Sequence, residues 1–139
     1  MANFEKTTPE AILPIRSTRK SAGYDLYANE NIIVPKYGRV LVKTGISCAM
    51  DDNEYLAIVP RSGLAIKSGI TVLNAPGTID ADYYPNEIGV ELYNTTATDF
   101  EVKIGDRIAQ AILKEYKTMD VDNVKNAERD GGFGSTGNN

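Results

Sequence analysis

Asp80 and Asp82 stand two apart in Asn74-Ala-Pro-Gly-Thr-Ile-Asp-Ala-Asp-Tyr. On a strand that spacing puts both carboxylates on one side. The chain has no histidine, which excludes a Ser-His-Asp triad, a histidine proton shuttle and a His-ligated zinc. Its single cysteine, Cys48, excludes an intrachain disulfide and a Cys cluster for zinc. Catalysis must rest on carboxylates, hydroxyls, backbone amides, Lys, Arg or Tyr, with a hard cation where charge requires one. An Asp is then the natural general base for activating a water. The plainer reading of the same pair is two solvent-facing carboxylates on an edge strand. The segment itself reads as a hairpin with Pro76-Gly77 at its tip.

Three other segments carry groups suited to anions. Gly131-Gly-Phe-Gly-Ser-Thr-Gly lets successive backbone N–H groups converge into an anion-binding concavity. Ser135 and Thr136 add hydroxyl donors there, and Arg129 adds charge. Phe133 can lie flat on a nucleobase, a contact worth roughly 1–3 kcal/mol. The alternative is a flexible glycine-rich tail. Pro60-Arg61-Ser62-Gly63 follows a strand and offers a guanidinium, a hydroxyl and a permissive backbone, a set that suits phosphate oxygens. Alternatively it is a polar turn with Ser62 as the N-cap of a helical turn. Gln110 offers a further donor to a phosphate oxygen. Asp25 is a candidate to help hold Mg²⁺, directly or through water, or is a strand-end carboxylate satisfied by backbone donors. Asp106 and Arg107 read as a structural pair.

These groups need a scaffold, and short strands supply it. Phe100, Val102 and Ile104 alternate with Glu101 and Lys103, a period of two. Residues 31–43 read as strand, turn, strand. Tyr55–Val59, Ile70–Leu73 and Ile108–Leu113 are apolar on both faces and should be covered on both sides. Only Leu64–Lys67, before Gly69, suggests a helical turn. The fold expected is a β-sandwich or jelly roll. At 139 residues and 42% hydrophobic, one domain can bury a core unaided. The net charge of −4 argues against a nucleic-acid or membrane-surface partner. The N-terminus lacks the apolar run of a signal peptide, and no stretch approaches a membrane span. A reducing, cytoplasmic setting (or the host-cell interior for a viral protein) fits the single cysteine, read as a buried thiol. Residues 1–122 are expected to form the β-domain. Residues 123–139 are polar and glycine-rich, and should stay mobile unless a ligand or partner orders them.

Taken together, SAGYDLYA (21–28), PRSGLA (60–65), NAPGTIDADYY…EIGV (74–90), GDRIAQAI (105–112) and RDGGFGSTG (129–137) resemble the five ordered motifs of the trimeric dUTPase family. The resemblance implies a jelly-roll subunit, a homotrimer, and hydrolysis of dUTP to dUMP and pyrophosphate with Mg²⁺. Each active site would draw on three chains, the tail coming from the third. Asp80 would be the general base for a water attacking the α-phosphorus. Asp25 would orient the metal through water. Arg61, Ser62, Gly63 and Gln110 would face the phosphates. Asn74 and the backbone of Gly77, Thr78 and Ile79 would read the uracil edge, and Tyr83 would pack under the deoxyribose. Phe133 would cover the uracil, while Arg129, Gly134, Ser135 and Thr136 close over the phosphates.

The match departs from the family in three places. Tyr84-Pro85-Asn86 stands where Arg-Gly is usual, one residue longer. Only Asp130 separates Arg129 from Gly131, one residue shorter than usual. Glu91 stands near the place of a catalytic Glu in the related dCTP deaminases, so deamination, alone or with hydrolysis, is the enzymatic alternative. Against it, Ser62-Gly63 and the 74–83 segment follow the hydrolase pattern. A silent nucleotide-binding regulator on the same fold is the alternative of another class. It should have lost the base or the tail, and both remain.

Overall fold

The computed structural model describes residues 1–125 and 129. Among these the chain runs β1 (Asn3–Lys6), β2 (Tyr24–Tyr27), β3 (Ile32–Val34), β4 (Arg39–Lys43), β5 (Ile46–Ala49) and β6 (Glu54–Val59). Then come helix α1 (Ser62–Ser68), β7 (Ile70–Val72), β8 (Gly77–Asp80) and a 3-10 turn (Ala81–Tyr83). β9 (Gly89–Asn94), β10 (Phe100–Val102) and β11 (Arg107–Glu115) complete it. The fold is all-β, as the short alternating segments require. β9 shows why: Val90, Leu92 and Asn94 point inward while Gly89, Glu91 and Tyr93 alternate outward.

The largest sheet has the order β2-β11-β6-β8, and a second has β4-β9-β7. Two two-stranded sheets, β1-β5 and β10-β3, complete the arrangement. All pairings are antiparallel. Leu26, Val42, Leu56, Ile58, Ile70, Ile88, Val90, Leu92 and Val102 form the centre of one apolar core. Each such side chain fully withdrawn from water contributes about 1.5–3 kcal/mol. Cys48 belongs to this core, and burial, aided by Glu54 and Glu5, pushes its thiol up to about 11. Asn94 is fully buried but donates to the Val34 and Thr98 carbonyls at 3.0 and 2.8 Å. Among the described residues, no buried side-chain polar atom lacks a partner.

Two local expectations change. The 74–83 segment is not a hairpin. β7 pairs with β9 and β8 pairs with β6, so the Pro76-Gly77 turn carries the chain from one sheet to another. Asp80 ends β8 and Asp82 falls in the 3-10 turn, so the two are not strand neighbours on one face. Ser62 is not an N-cap. Arg61 holds that place with extended backbone (φ −86°, ψ 130°), with no side-chain cap bond, and Ser62 is the first helical residue. Gly69 ends the helix in the left-handed conformation at φ 64°, as a C-terminal glycine should. No described helix is long and apolar enough to cross a membrane.

Candidate active site

β8 lies at the edge of its sheet. An edge strand leaves backbone N–H and C=O groups unpaired on its outer side. These face a cavity of about 430 Å³ lined by Asn74, Gly77, Thr78, Ile79, Asp80 and Tyr83. Arg39, Glu91 and Arg129 complete the polar wall, and Leu41, Ile58, Val72 and Val90 contribute apolar surface. Gly77 is close-packed: a Cβ there would stand 3.2 Å from Ile58 Cβ. The Tyr83 hydroxyl donates to the Glu87 carbonyl at 2.7 Å. Burial raises its pKa, with Glu87 adding to the rise and Arg129 opposing it.

The Arg129 guanidinium pairs with Asp80 through Nη2, and its Nε donates to Asp82 Oδ1 at 2.6 Å. The hydrogen bond to Asp82, with the charges of Asp82 and Asp80, raises the arginine's pKa further. Asp80 and Asp82, though not strand neighbours, are thus joined through a shared cation. Glu91 lies on the wall of the same cavity, opposite Leu41 in the β4–β9 register.

A second cluster gathers around Asp25, where β2, β11 and the end of β6 meet. Asp25 is almost buried. Arg61 Nε lies 3.4 Å and Arg107 Nη1 3.8 Å from its carboxylate, and Ser17 Oγ donates to it at 3.4 Å. Arg107 is thus directed to Asp25. Asp106 instead accepts from the Lys103 backbone N–H at 2.9 Å, so the expected Asp106–Arg107 pair does not form. Gln110 Nε2 donates to the Pro60 carbonyl at 3.0 Å. Ser62 is exposed beside it, and Gly63 opens on free space. The cluster holds two cations and one anion, which leaves it attractive to phosphate.

The two clusters do not meet within one chain. Asp25 is level with Gln110 and Val59, and Asp80 with Tyr55. They are three strand positions apart, about 14 Å, and four residues along β6, about 13 Å, giving about 20 Å across the sheet. Phe133, Gly134, Ser135 and Thr136 lie outside the described residues. Arg39 and Leu41 carried no motif; only the register of β4 beside β9 brings them to the cavity. Gly23 lies within the SAGYDLYA motif but was given no role of its own. A Cβ there would stand 2.0 Å from Gln110 Oε1, so its bareness sets where that side chain lies.

An all-β scaffold with a polar cavity at one sheet edge and a separate cationic cluster has the features that a nucleotide-handling β-protein requires. The dUTPase family profile matches residues 9–137. A deoxyuridine 5'-triphosphate nucleotidohydrolase of Paramecium bursaria Chlorella virus 1 is 47% identical over 137 residues, covering 96% of this chain and 95% of that protein. The enzyme of that name from Wolinella succinogenes is 43% identical, covering 95% and 91%. Among solved structures, the dUTPase of Streptococcus mutans superposes with a TM-score of 0.80 at 32% identity, covering 85% of this chain and 98% of that one. A mutant dUTPase from phage phi11 of S. aureus, in which a structural Mg(II) ion is coordinated, shares the fold at a TM-score of 0.80 and 18% identity, covering 91% and 98%. The chain belongs to the dUTPase family.

Proposed function

We propose that this chain hydrolyses dUTP to dUMP and pyrophosphate, with Asp80 activating the attacking water. The observation that carries the reading is the cavity, where Asp80, Asn74, Tyr83 and the edge backbone of β8 share one wall. Unpaired strand groups suit the donor–acceptor edge of uracil, as base pairing does. The narrow space beside Gly77 disfavours the thymine methyl and the cytosine amino group. Tyr83 lies under the deoxyribose and leaves no room for a 2′-hydroxyl. Arg129 holds Asp80 in the free chain, and the triphosphate competes for that cation. Its transfer to the phosphates would free the carboxylate to accept a proton from water.

Arg61, Ser62, Gly63 and Gln110 bind the phosphates. The roughly 20 Å between the Asp25 cluster and Asp80 supports a homotrimer in which one copy supplies the phosphate cluster and another the β8 cavity. Residues 1–122 form the β-domain, and residues 123–139 are an arm that completes a neighbouring site. In that arm Phe133 covers the base, while Gly134, Ser135 and Thr136 close on the phosphates. The donor set suits Mg²⁺ held indirectly. Asp25 is a single carboxylate between two guanidiniums, and no described group of three acidic or thiol side chains forms a cage. Such an acid would steady the waters of an ion carried on the substrate's phosphates. When bound, Mg²⁺ would offset the charge of the triphosphate and its leaving group.

Product analysis tests the reading. Pure protein with Mg²⁺ is incubated separately with dUTP, dCTP, dTTP and UTP. Formation of dUMP and pyrophosphate from dUTP alone is expected. Consumption of dCTP would make Glu91 the residue to mutate next, and no turnover at all would overturn the hydrolase.

A further inference from the structure

The connection from the 3-10 turn to β9 is tied down along its length. The Asn86 backbone N–H and side-chain Nδ2 both donate to the Tyr83 carbonyl, at 3.0 and 2.8 Å. The Tyr84 hydroxyl donates to Glu5 Oε1 at 2.7 Å, fastening the outer side of the loop to β1. The Tyr83 hydroxyl reaches across the loop to the Glu87 carbonyl at 2.7 Å. Glu87 is in turn fixed by its side chain: Oε2 accepts the Gly45 backbone N–H at 2.7 Å. Next along, the Ile88 N–H donates to the Ile46 carbonyl at 2.7 Å. Thr44 Oγ1 donates to the Ile88 carbonyl, also at 2.7 Å. Ile88 itself is fully buried.

We infer that Glu87 is a positioning residue for sugar discrimination, holding the Tyr83 ring at the cavity wall through its own backbone carbonyl. The inference rests on the reading that Tyr83 packs under the deoxyribose. Tyr83 is half-buried, and a ring in a roomy cavity has two torsions to settle. Its hydroxyl bond is the tether that fixes ring height. That tether ends on a carbonyl whose peptide is held on one side by the Ile88 N–H bond to Ile46 and on the other by the Glu87 carboxylate's bond to the Gly45 N–H. The carboxylate is spent on the Gly45 N–H, and removing it takes away one of the two holds on that peptide, so the carbonyl and the ring bonded to it can shift. A ring free to drop away leaves space for a 2′-hydroxyl. The tether is neutral, so losing it should shift selectivity by the amount of one ordinary hydrogen bond, roughly three- to tenfold.

Five variants separate the possibilities, each confirmed folded by circular dichroism and assayed for kcat/KM on dUTP and UTP. Glu87→Ala should lower the dUTP-to-UTP selectivity roughly three- to tenfold, chiefly by raising kcat/KM for UTP. Glu87→Gln retains an oxygen acceptor for the Gly45 N–H and should restore the selectivity. Tyr83→Phe removes the tether at its other end and should lose a similar factor. Combined with Glu87→Ala it should lose no more, because both changes break the same link. Unchanged selectivity in Glu87→Ala overturns the inference, as does a Glu87→Gln variant that behaves like the alanine. Tyr83→Ala tests the underlying reading separately. If it too leaves selectivity unchanged, Tyr83 does not sense the sugar. If it alone lowers selectivity, the Tyr83 reading stands and the Glu87 role falls.

Discussion

Gly23→Ala should cripple the phosphate cluster without disturbing the backbone. The added Cβ would lie 2.0 Å from Gln110 Oε1, 2.9 Å from its Cδ and 3.1 Å from its Cβ. The glycine does not need a left-handed conformation, and the three nearest collisions all fall on Gln110, whose Cβ must also yield by a few tenths of an ångström. That side chain must swing to another rotamer and give up its bond to the Pro60 carbonyl. The amide is only partly buried, so water replaces much of the lost bond, and stability should fall by about 0.5–1.5 kcal/mol. Activity should suffer more. A donor to an ionised phosphate is worth about 1.5–3 kcal/mol, so kcat/KM for dUTP should drop roughly ten- to hundredfold. Steady-state kinetics on three proteins make the test: Gly23→Ala, Gln110→Ala and the double variant. If displacement of Gln110 is the whole effect, adding alanine at 23 to the Gln110→Ala protein costs almost nothing. Losses that add, or a Gly23→Ala enzyme with normal kcat/KM, would refute the reasoning.

Asp80→Asn should lose roughly a hundred- to ten-thousandfold in kcat yet still bind a non-hydrolysable dUTP analogue, as titration calorimetry would show; normal turnover would remove Asp80 as the base. Removing Arg129–Asn139 should leave a folded protein of unchanged oligomeric state with little activity, checked by size-exclusion chromatography beside the product assay; dissociation to monomers would make the tail structural instead. Burial raises the Cys48 thiol from 9.0 to about 11, so the unfolded chain gives up this proton at lower pH than the folded one. Its contribution is therefore full below pH 9 and is lost as pH climbs from 9 towards 11, a fall on the order of 2 kcal/mol. Urea titrations across that range, compared with Cys48→Ala, should show the steeper decline in the parent protein.

The strands were legible because alternation and β-branched runs report local burial. β10 and β11 follow directly from where Val102, Ile108 and Ala111 fall, whereas β9 was not read as a strand. Partnership was not legible. Pro76-Gly77 announces that the chain reverses but not which strand receives it, and β8 went to β6 rather than back to β7. The same limit hid Arg39 and Leu41, whose place at the cavity depends on a register set some fifty residues away. Asp106-Arg107 misled for a related reason. Adjacent charges on an extended backbone point to opposite sides, and Arg107 found Asp25 on the neighbouring strand. The residues with chemical character, Asp25, Arg61, Asn74, Asp80, Tyr83 and Gln110, stood out by type. The bare positions that aim them, Gly23 and Gly77, show their purpose only once a missing Cβ can be measured against its neighbours.

Ile58, Val72 and Val90 each belong to the apolar core and also line the cavity that holds Asp80. The floor of the cavity proposed for the nucleotide is therefore built from the same side chains that keep the sheets together. In many enzymes, loops vary above an indifferent scaffold, and fold and chemistry drift separately. Here a lineage that trades one of these side chains for a larger or smaller one alters its resistance to heat and its choice of base in a single step. Compensation for one must be found without spoiling the other, so these three positions should accept far fewer substitutions than their depth alone would dictate.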